Sequence, residues 1–273
     1  MGDWNLDALL LLRTHLAWAG LLLFIGLEAL LPFSKPKQVR WRHYLVNVAL
    51  AGANLALLRL VWGGLLLGAA FYASQRQIGL FYVLGLGEPW RIVLTFLFFD
   101  ALSYTMHVLY HYLPALWRLH QVHHSDRDYD VTTASRFHFG EILFSTMVQT
   151  LFAVGLGASP LGLVLFQALF LFQAQFQHAN LHLPERLDWW VRWLIVTPNM
   201  HRVHHSVVRA ETNSNFSTFF SLWDRLGGTF RWGPPQESIR IGLLAYPRSD
   251  QVGLTQILLM PFRPIPPDEE PAA

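Results

Sequence analysis

Four stretches of this chain are too long and too apolar to be laid out in water. His15 to Phe33 (HLAWAGLLLFIGLEALLPF) is nearly all apolar, with Glu28 as the exception. His43 to Tyr72 is interrupted by Asn47, Asn54 and Arg59. Trp90 to Leu113 is a third run. Phe139 to Leu183 exceeds one span, and Gly155-Leu156-Gly157-Ala158-Ser159-Pro160 divides it near its middle. A bilayer core takes about 20 apolar residues per helix, and each piece is close to that length. The expected fold is therefore all-α, a polytopic membrane helical bundle of about four to five membrane helices. With 53% hydrophobic and 14% charged residues, the 273-residue chain has too little polar surface to bury such runs inside a soluble enzyme. The same figures exclude a disordered chain.

Basic loops orient the bundle. Lys35, Lys37, Arg40 and Arg42 crowd the link between the first two runs, which the positive-inside rule places in the cytoplasm. The region from about Leu113 to His138 and the region after His182 are then cytoplasmic too. The divided fourth run either crosses and returns as a hairpin or dips into one leaflet. Asn47, Asn54 and Arg59 sit badly in lipid, so the second helix is expected to face protein or to lie shallower. Ala73 to Glu88 suits a short interfacial piece. The N-terminus does not read as a secretory signal, since Asp3 and Asp7 stand where positive charge is needed. Gly233 to Ala273 holds eight prolines, with Val252 to Met260 as a short apolar helix and Pro267 to Ala273 as a disordered end. The expected division is 1–90, N-terminal membrane helices; 91–232, a catalytic domain; and 233–273, a proline-rich tail.

No cysteine is present, which removes disulfides, thiolate metal sites and cysteine nucleophiles. The formal charge of +2 is too small to suggest nucleic acid. Histidine is the anomaly. Ten of 13 fall into four clusters: HVLYH (His107, His111), HQVHH (His120, His123, His124), HANLH (His178, His182) and HRVHH (His201, His204, His205). Two spacings, HxxxH and HxxHH, are each used twice in the same order. Residues at i, i+3 and i+4 share a helix face, so two imidazoles at that spacing can hold one ion. The third can reach a second ion or a substrate. Ten imidazoles suffice for two ions at four or five ligands each. They would form a histidine-rich, metal-binding helical cap on the cytoplasmic side.

All-nitrogen sites suit zinc, copper, iron or nickel. Ten histidines are too many for one catalytic zinc, and HExxH is absent. Asp100 stands two helical turns before His107, on the same face, and is a candidate to orient it or a neighbour. His138, within Ser135-Arg136-Phe137-His138-Phe139-Gly140-Glu141, is a candidate to support a metal ligand or to stand on the substrate side of the site. Single histidines such as His15 and His43 suit satisfied polar residues or interfacial anchors.

The order HVLYH, HQVHH, HANLH, HRVHH resembles the fatty acid hydroxylase / sterol desaturase superfamily of membrane-bound, histidine-rich, non-haem di-iron oxygenases, in its short bacterial members. The resemblance covers roughly Asp100 to Phe230. It includes Trp117, Thr197-Pro198-Asn199-Met200 before HRVHHS, Asn213-Ser214-Asn215-Phe216, and Leu222-Trp223-Asp224-Arg225-Leu226-Gly227-Gly228-Thr229. Phe216-Ser217 and Leu226-Gly227-Gly228 depart from the family's pattern.

The resemblance implies an oxidoreductase that hydroxylates or desaturates an unactivated C–H bond of a sterol, fatty acyl or alkylglycerol lipid. It implies two iron ions held by the ten histidines, O2 as co-substrate, and electrons from a separate reductase or cytochrome-type donor. An inner-membrane location follows for a bacterial member. Phe166, Phe170, Phe172, Phe176, Trp189, Trp190 and Trp193 are candidates to line a lipid tunnel, with lipid-facing or interfacial packing as the alternative. A histidine-rich divalent-metal transport or binding protein, and an inactive scaffold, are the competing classes. A transporter would string its ligands along the spans, whereas here they gather at one end.

Overall fold

The computed structural model describes residues 6–36, 40–62 and 64–269. Asp3, Lys37 and residues 270–273 lie outside these, as do the side chains of Asp7, Arg40 and Arg59. The chain is helical. α1 (Leu6–Leu30), α2 (Arg40–Trp62), α3 (Leu65–Arg76) and α4 (Leu80–Val83) precede the long α5 (Glu88–Tyr112). α6 (Pro114–His124), α7 (Phe139–Leu156) and α8 (Pro160–His178) follow. The rest is short: α9 (Glu185–Val191), α10 (Pro198–His204), α11 (Arg209–Thr212), α12 (Leu222–Leu226) and α13 (Leu254–Leu259). Among the described residues there is no β-strand, only the isolated bridges Ile195–Phe220 and Ser206–Ile241.

Local chemistry sets the helix ends. Pro89, Pro114, Pro160 and Pro198 open α5, α6, α8 and α10, where a missing N–H costs nothing. The Ser159 and Thr197 hydroxyls accept the N–H groups of Gly162 and Met200, each at 3.2 Å, capping α8 and α10. Gly157 ends α7 at φ 67°, and a Cβ there would lie 2.5 Å from the Ile78 carbonyl. Only glycine fits that turn.

Four helices are long and apolar enough to cross a membrane: Ala8–Leu30 of α1, α5, α7 and α8. They mark an integral membrane protein. Half of the α8 window is buried, against 11–22% for the other three, so α8 is the central span and the others face outward. Large apolar side chains such as Leu22, Leu30 and Leu151 are exposed, as lipid contact requires. Lipid is as apolar as leucine, so close packing rather than burial joins such helices. Gly20 of α1 lies directly against Gln175 and Phe172 of α8. Phe24 packs its ring 5.3 Å from Phe172 and 5.8 Å from Phe176. Leu66, Phe81, Phe99, Leu156, Leu163 and Phe166 form the core between α3, α4, α5, α7 and α8.

The second apolar run is not one span. It breaks at Gly64 (φ 79°) into α2 and α3, and α2 is not among the four candidate spans. Its polar residues explain why. Asn47 donates to Asp126 (3.1 Å) and Thr132 (2.9 Å) and accepts from Arg136 (2.8 Å). Asn54 donates to the Phe137 carbonyl at 2.7 Å. These groups bind protein, where lipid offers no partner. Glu28 likewise accepts the N–H groups of Val131 and Asn180, each at 2.7 Å, pinning the end of α1.

Two further expectations are revised. Ala73 to Glu88 is not one piece: it completes α3 and then forms α4, and both helices pack on α7. Residues 267–269 form a helical turn rather than a disordered end, because the Glu269 carboxylate accepts the Ala245 N–H at 3.0 Å. The short apolar stretch near Val252 is α13, whose Ile257 is buried with Leu50 and Val122.

Candidate metal centre

Nine histidines converge at one end of the bundle in two buried groups. His107, His111, His120, His124 and His204 form the first; His123, His178, His201 and His205 form the second. Within each group one nitrogen per ring lies within 4.8 Å of all the others. The partition follows from helix geometry. α6 gives its i, i+4 pair, His120 and His124, to the first group and His123 to the second. At α10 the assignment reverses: His201 and His205 enter the second group and His204 the first. Each HxxHH thus stands between the two sites and serves both.

Hydrogen bonds fix which nitrogen faces inward. Nδ1–H of His107 donates to the Phe216 carbonyl (2.7 Å), that of His204 to the Ser214 carbonyl (2.8 Å), and that of His120 to a Glu141 carboxylate oxygen (2.8 Å). His111 Nδ1 pairs with the Asn213 side-chain oxygen at 3.2 Å. The Nε2 atoms of these four rings are buried and have no partner. In the second group, His178 Nδ1 donates to Ala174 (2.7 Å), and its Nε2 lies 3.1–3.2 Å from Nε2 of His123, His201 and His205. Nitrogens sharing one ion at about 2.1 Å would stand about 3 Å apart. Orphaned Nε2 atoms in the first group, and Nε2 atoms converging on one another in the second, fit a bound metal in each. Burial, reinforced by neighbouring rings, pushes His123, His124, His201, His204 and His205 well below the ordinary imidazole range. They are held neutral, the form that binds metal.

One short loop supplies three of these partners. Asn213, Ser214 and Phe216 hold His111, His204 and His107. Asn215 between them is left-handed (φ 54°), and its amide bonds Met200 and both backbone groups of Arg231. The Asp224 carboxylate then accepts the N–H groups of Phe216 (2.7 Å) and Ser217 (3.0 Å). The Asn-Ser-Asn-Phe and Trp-Asp segments of the sequence are therefore the clamp behind the histidines. Fully buried Arg136 secures the end of α6 by donating to the Val122 carbonyl (3.0 Å) and Ser125 hydroxyl (3.0 Å). Of the two readings for His43, the satisfied polar residue holds: it is buried between Asp126 (3.3 Å) and Asp130 (2.9 Å). Burial alone would lower its imidazole, but the two aspartates outweigh that and raise it to about 11.

A cavity of about 550 Å³ opens onto the histidines. His107, His120, His123, His178 and His201 form one end, and Met106, Ile142, Phe166 and Phe170 line its walls. Of the other expected tunnel residues, Phe172 and Phe176 pack on α1, and Trp189, Trp190 and Trp193 are exposed.

Three expected site residues lie elsewhere. His182 is exposed and stacks on Phe33 at 5.0 Å, because α8 ends at His178 and the i+4 register is lost. Pro184 close behind was the signal for that break. Asp100 does not orient His107. Its carboxylate accepts the N–H groups of Phe219 (3.3 Å) and Phe220 (3.0 Å) and the Trp223 indole (2.7 Å). His138 caps α7 by accepting the Gly140 N–H at 3.1 Å and belongs to neither group. Glu141, which holds His120, lies outside the histidine motifs, although a carboxylate in an apolar run is a signal in itself.

The profile of the fatty acid hydroxylase family matches residues 92–229. The chain is 34% identical over 157 residues to an alkylglycerol monooxygenase of Xenopus tropicalis, covering 57% of this chain and 33% of that protein. It is 33% identical over 162 residues to the ornithine lipid hydroxylase OlsE of Rhizobium tropici, covering 56% and 45%. Cholesterol 25-hydroxylase of Mus musculus is 26% identical over 152 residues, covering 55% and 49%. The matched part thus spans between a third and a half of these relatives. No solved structure matches the chain.

Proposed function

The chain belongs to the fatty acid hydroxylase family, and on that premise we propose that it is an O2-dependent oxidoreductase that hydroxylates or desaturates an unactivated C–H bond of a membrane lipid. The observation that carries this reading is the pair of buried histidine groups opening onto one apolar cavity. His107, His111, His120, His124 and His204 would hold one iron ion, and His123, His178, His201 and His205 the other. Bound iron supplies the O2-dependent oxidation that side chains alone cannot perform.

The protein's own groups do the rest. Phe216, Ser214 and Glu141 hold His107, His204 and His120 in the tautomer that leaves Nε2 free. The apolar walls admit a hydrocarbon segment and keep water from the reacting carbon. The relatives named as lipid hydroxylases and monooxygenases support a lipid substrate and a separate electron donor. The chain leaves α1 toward Lys35 at the histidine end, since the Phe33 N–H donates to the Asn180 carbonyl at 2.9 Å. By the positive-inside rule this supports a cytoplasmic metal site.

The test is metal analysis of the purified protein, followed by O2 uptake with membrane lipid extract and a chemical or enzymatic reductant. About two irons per chain and lipid-dependent O2 uptake are expected. Failure to take up iron, or uptake indifferent to lipid, would overturn the reading.

A further inference from the structure

An arginine stands inside the first membrane-spanning helix. Arg13 lies five residues into the Ala8–Leu30 span, where a charge is costly and usually marks a functional contact. Its guanidinium donates to the Gln167 side-chain oxygen at 2.7 Å. Gln167 is on α8, eleven residues before His178. Eleven residues return a helix to almost the same face after a rise of about 16 Å. The side chains of Gln167 and His178 both line the 550 Å³ cavity, with Arg13 behind Gln167. Gln149 of α7 lines it too, eight residues before Gly157, as Gln167 is eight after Ser159. The two glutamines therefore stand at similar depth on the two arms of the α7–α8 hairpin. The cavity is polar at both ends, with Phe170 and Ala174 among the apolar residues between.

Arg13 also decides which half of the amide faces inward. It occupies the carbonyl oxygen of Gln167, so the NH2 group is left to donate into the cavity.

We propose that Gln167, fixed by Arg13, is the specificity-determining residue of this cavity: it donates a hydrogen bond to an oxygen of the substrate lipid, a carbonyl, ether or hydroxyl lying about 16 Å along α8 from the carbon presented at the histidines. The substrate class is a chain or ring lipid with a hydrogen-bonding oxygen at that distance, not a plain hydrocarbon. This rests on reading the cavity as the substrate site. The chemistry is that of ordinary pockets, apolar walls with a few placed polar groups fixing orientation.

The test uses the full chain in nanodiscs and two photoactivatable probes of equal chain length, a long-chain methyl ketone and the corresponding alkane. Each carries a diazirine near the end away from the ketone position. Labelled residues are mapped by mass spectrometry. The ketone is expected to label the histidine end of the cavity more strongly than the alkane, by about tenfold, as one hydrogen bond implies. Gln167→Leu should bring it down to the alkane's level and leave alkane labelling unchanged. Gln167→Glu keeps the shape and the Arg13 contact but removes the inward donor, so it should have the same effect on the ketone. Equal labelling of the wild type by both probes would overturn the proposal, as would loss of both probes together in the variants. Labelling needs no turnover: a ketone preference without iron or O2 uptake would sink the oxygenase reading alone, and O2 uptake without the preference would sink this one alone.

Discussion

His120 and Glu141 are joined across α6 and α7 by a 2.8 Å hydrogen bond from imidazole Nδ1–H to carboxylate. The bond leaves His120 Nε2 as a buried acceptor without a protein partner. Tyr110 holds the same turn of α7, donating to the Glu141 carbonyl at 3.2 Å. Glu141→Ala frees the ring to rotate and to change tautomer. Such losses lower metal affinity by about 10–100-fold. Iron titration of the apo variant should show weakened uptake at one of two sites. Unchanged affinity would mean that α6 packing alone orients His120.

The two members of HANLH and HRVHH that differ most in surroundings should differ most in effect. His204→Ala removes an inward Nε2 and is expected to abolish activity and lower iron content, with membrane insertion intact. His182→Ala removes an exposed ring stacked on Phe33 and should leave iron content at the wild-type level. Parallel metal analysis of the two purified variants decides this; equal loss in both would place His182 among the ligands.

Asn215→Ala should loosen the clamp without touching a histidine. The change removes three hydrogen bonds and puts alanine in the left-handed region, which costs about 1–2 kcal/mol before the bonds are counted. The carbonyls of Ser214 and Phe216 then lose their fixed direction toward His204 and His107. Lower thermal stability together with faster iron loss to a chelator is expected. Asn215→Gly, which relieves the strain but not the lost bonds, should recover part of the stability only.

Acid should weaken the apo protein. His123, His124, His201, His204 and His205 are held below the ordinary imidazole value, so the folded state binds fewer protons than the unfolded chain. Their contribution is intact above about pH 6.5 and is lost as pH falls beneath it. His43, raised to about 11, has the opposite sign: its contribution grows slightly as pH falls from 7 and levels off below about 6.5, so one group opposes the start of a loss that five rings share. Melting temperature of metal-free protein should therefore fall from pH 7 to pH 5.5, and iron should shift it upward at pH 7. A flat profile would count against neutral, buried rings.

The sequence by itself determined four of the apolar spans, since apolar length is a local property that needs no partner, but it did not show that the run from His43 to Tyr72 divides at Gly64. It also determined the histidine positions, because the i, i+3, i+4 spacing survives wherever α6 and α10 form. The Asn-Ser-Asn-Phe and Trp-Asp segments were visible as a resemblance but without a physical purpose. Only the tertiary structure decided which rings share a group, splitting each HxxHH between two sites. It also removed His182, redirected Asp100 to the Phe219–Trp223 turn, and brought Glu141, Asn47 and His43 into contact with distant partners. Those outcomes depend on crossing angles and loop paths that bring together residues far apart in the chain, as in the Arg13–Gln167 bond between α1 and α8. Helical periodicity fixes which face a side chain occupies; what that face meets is settled by packing.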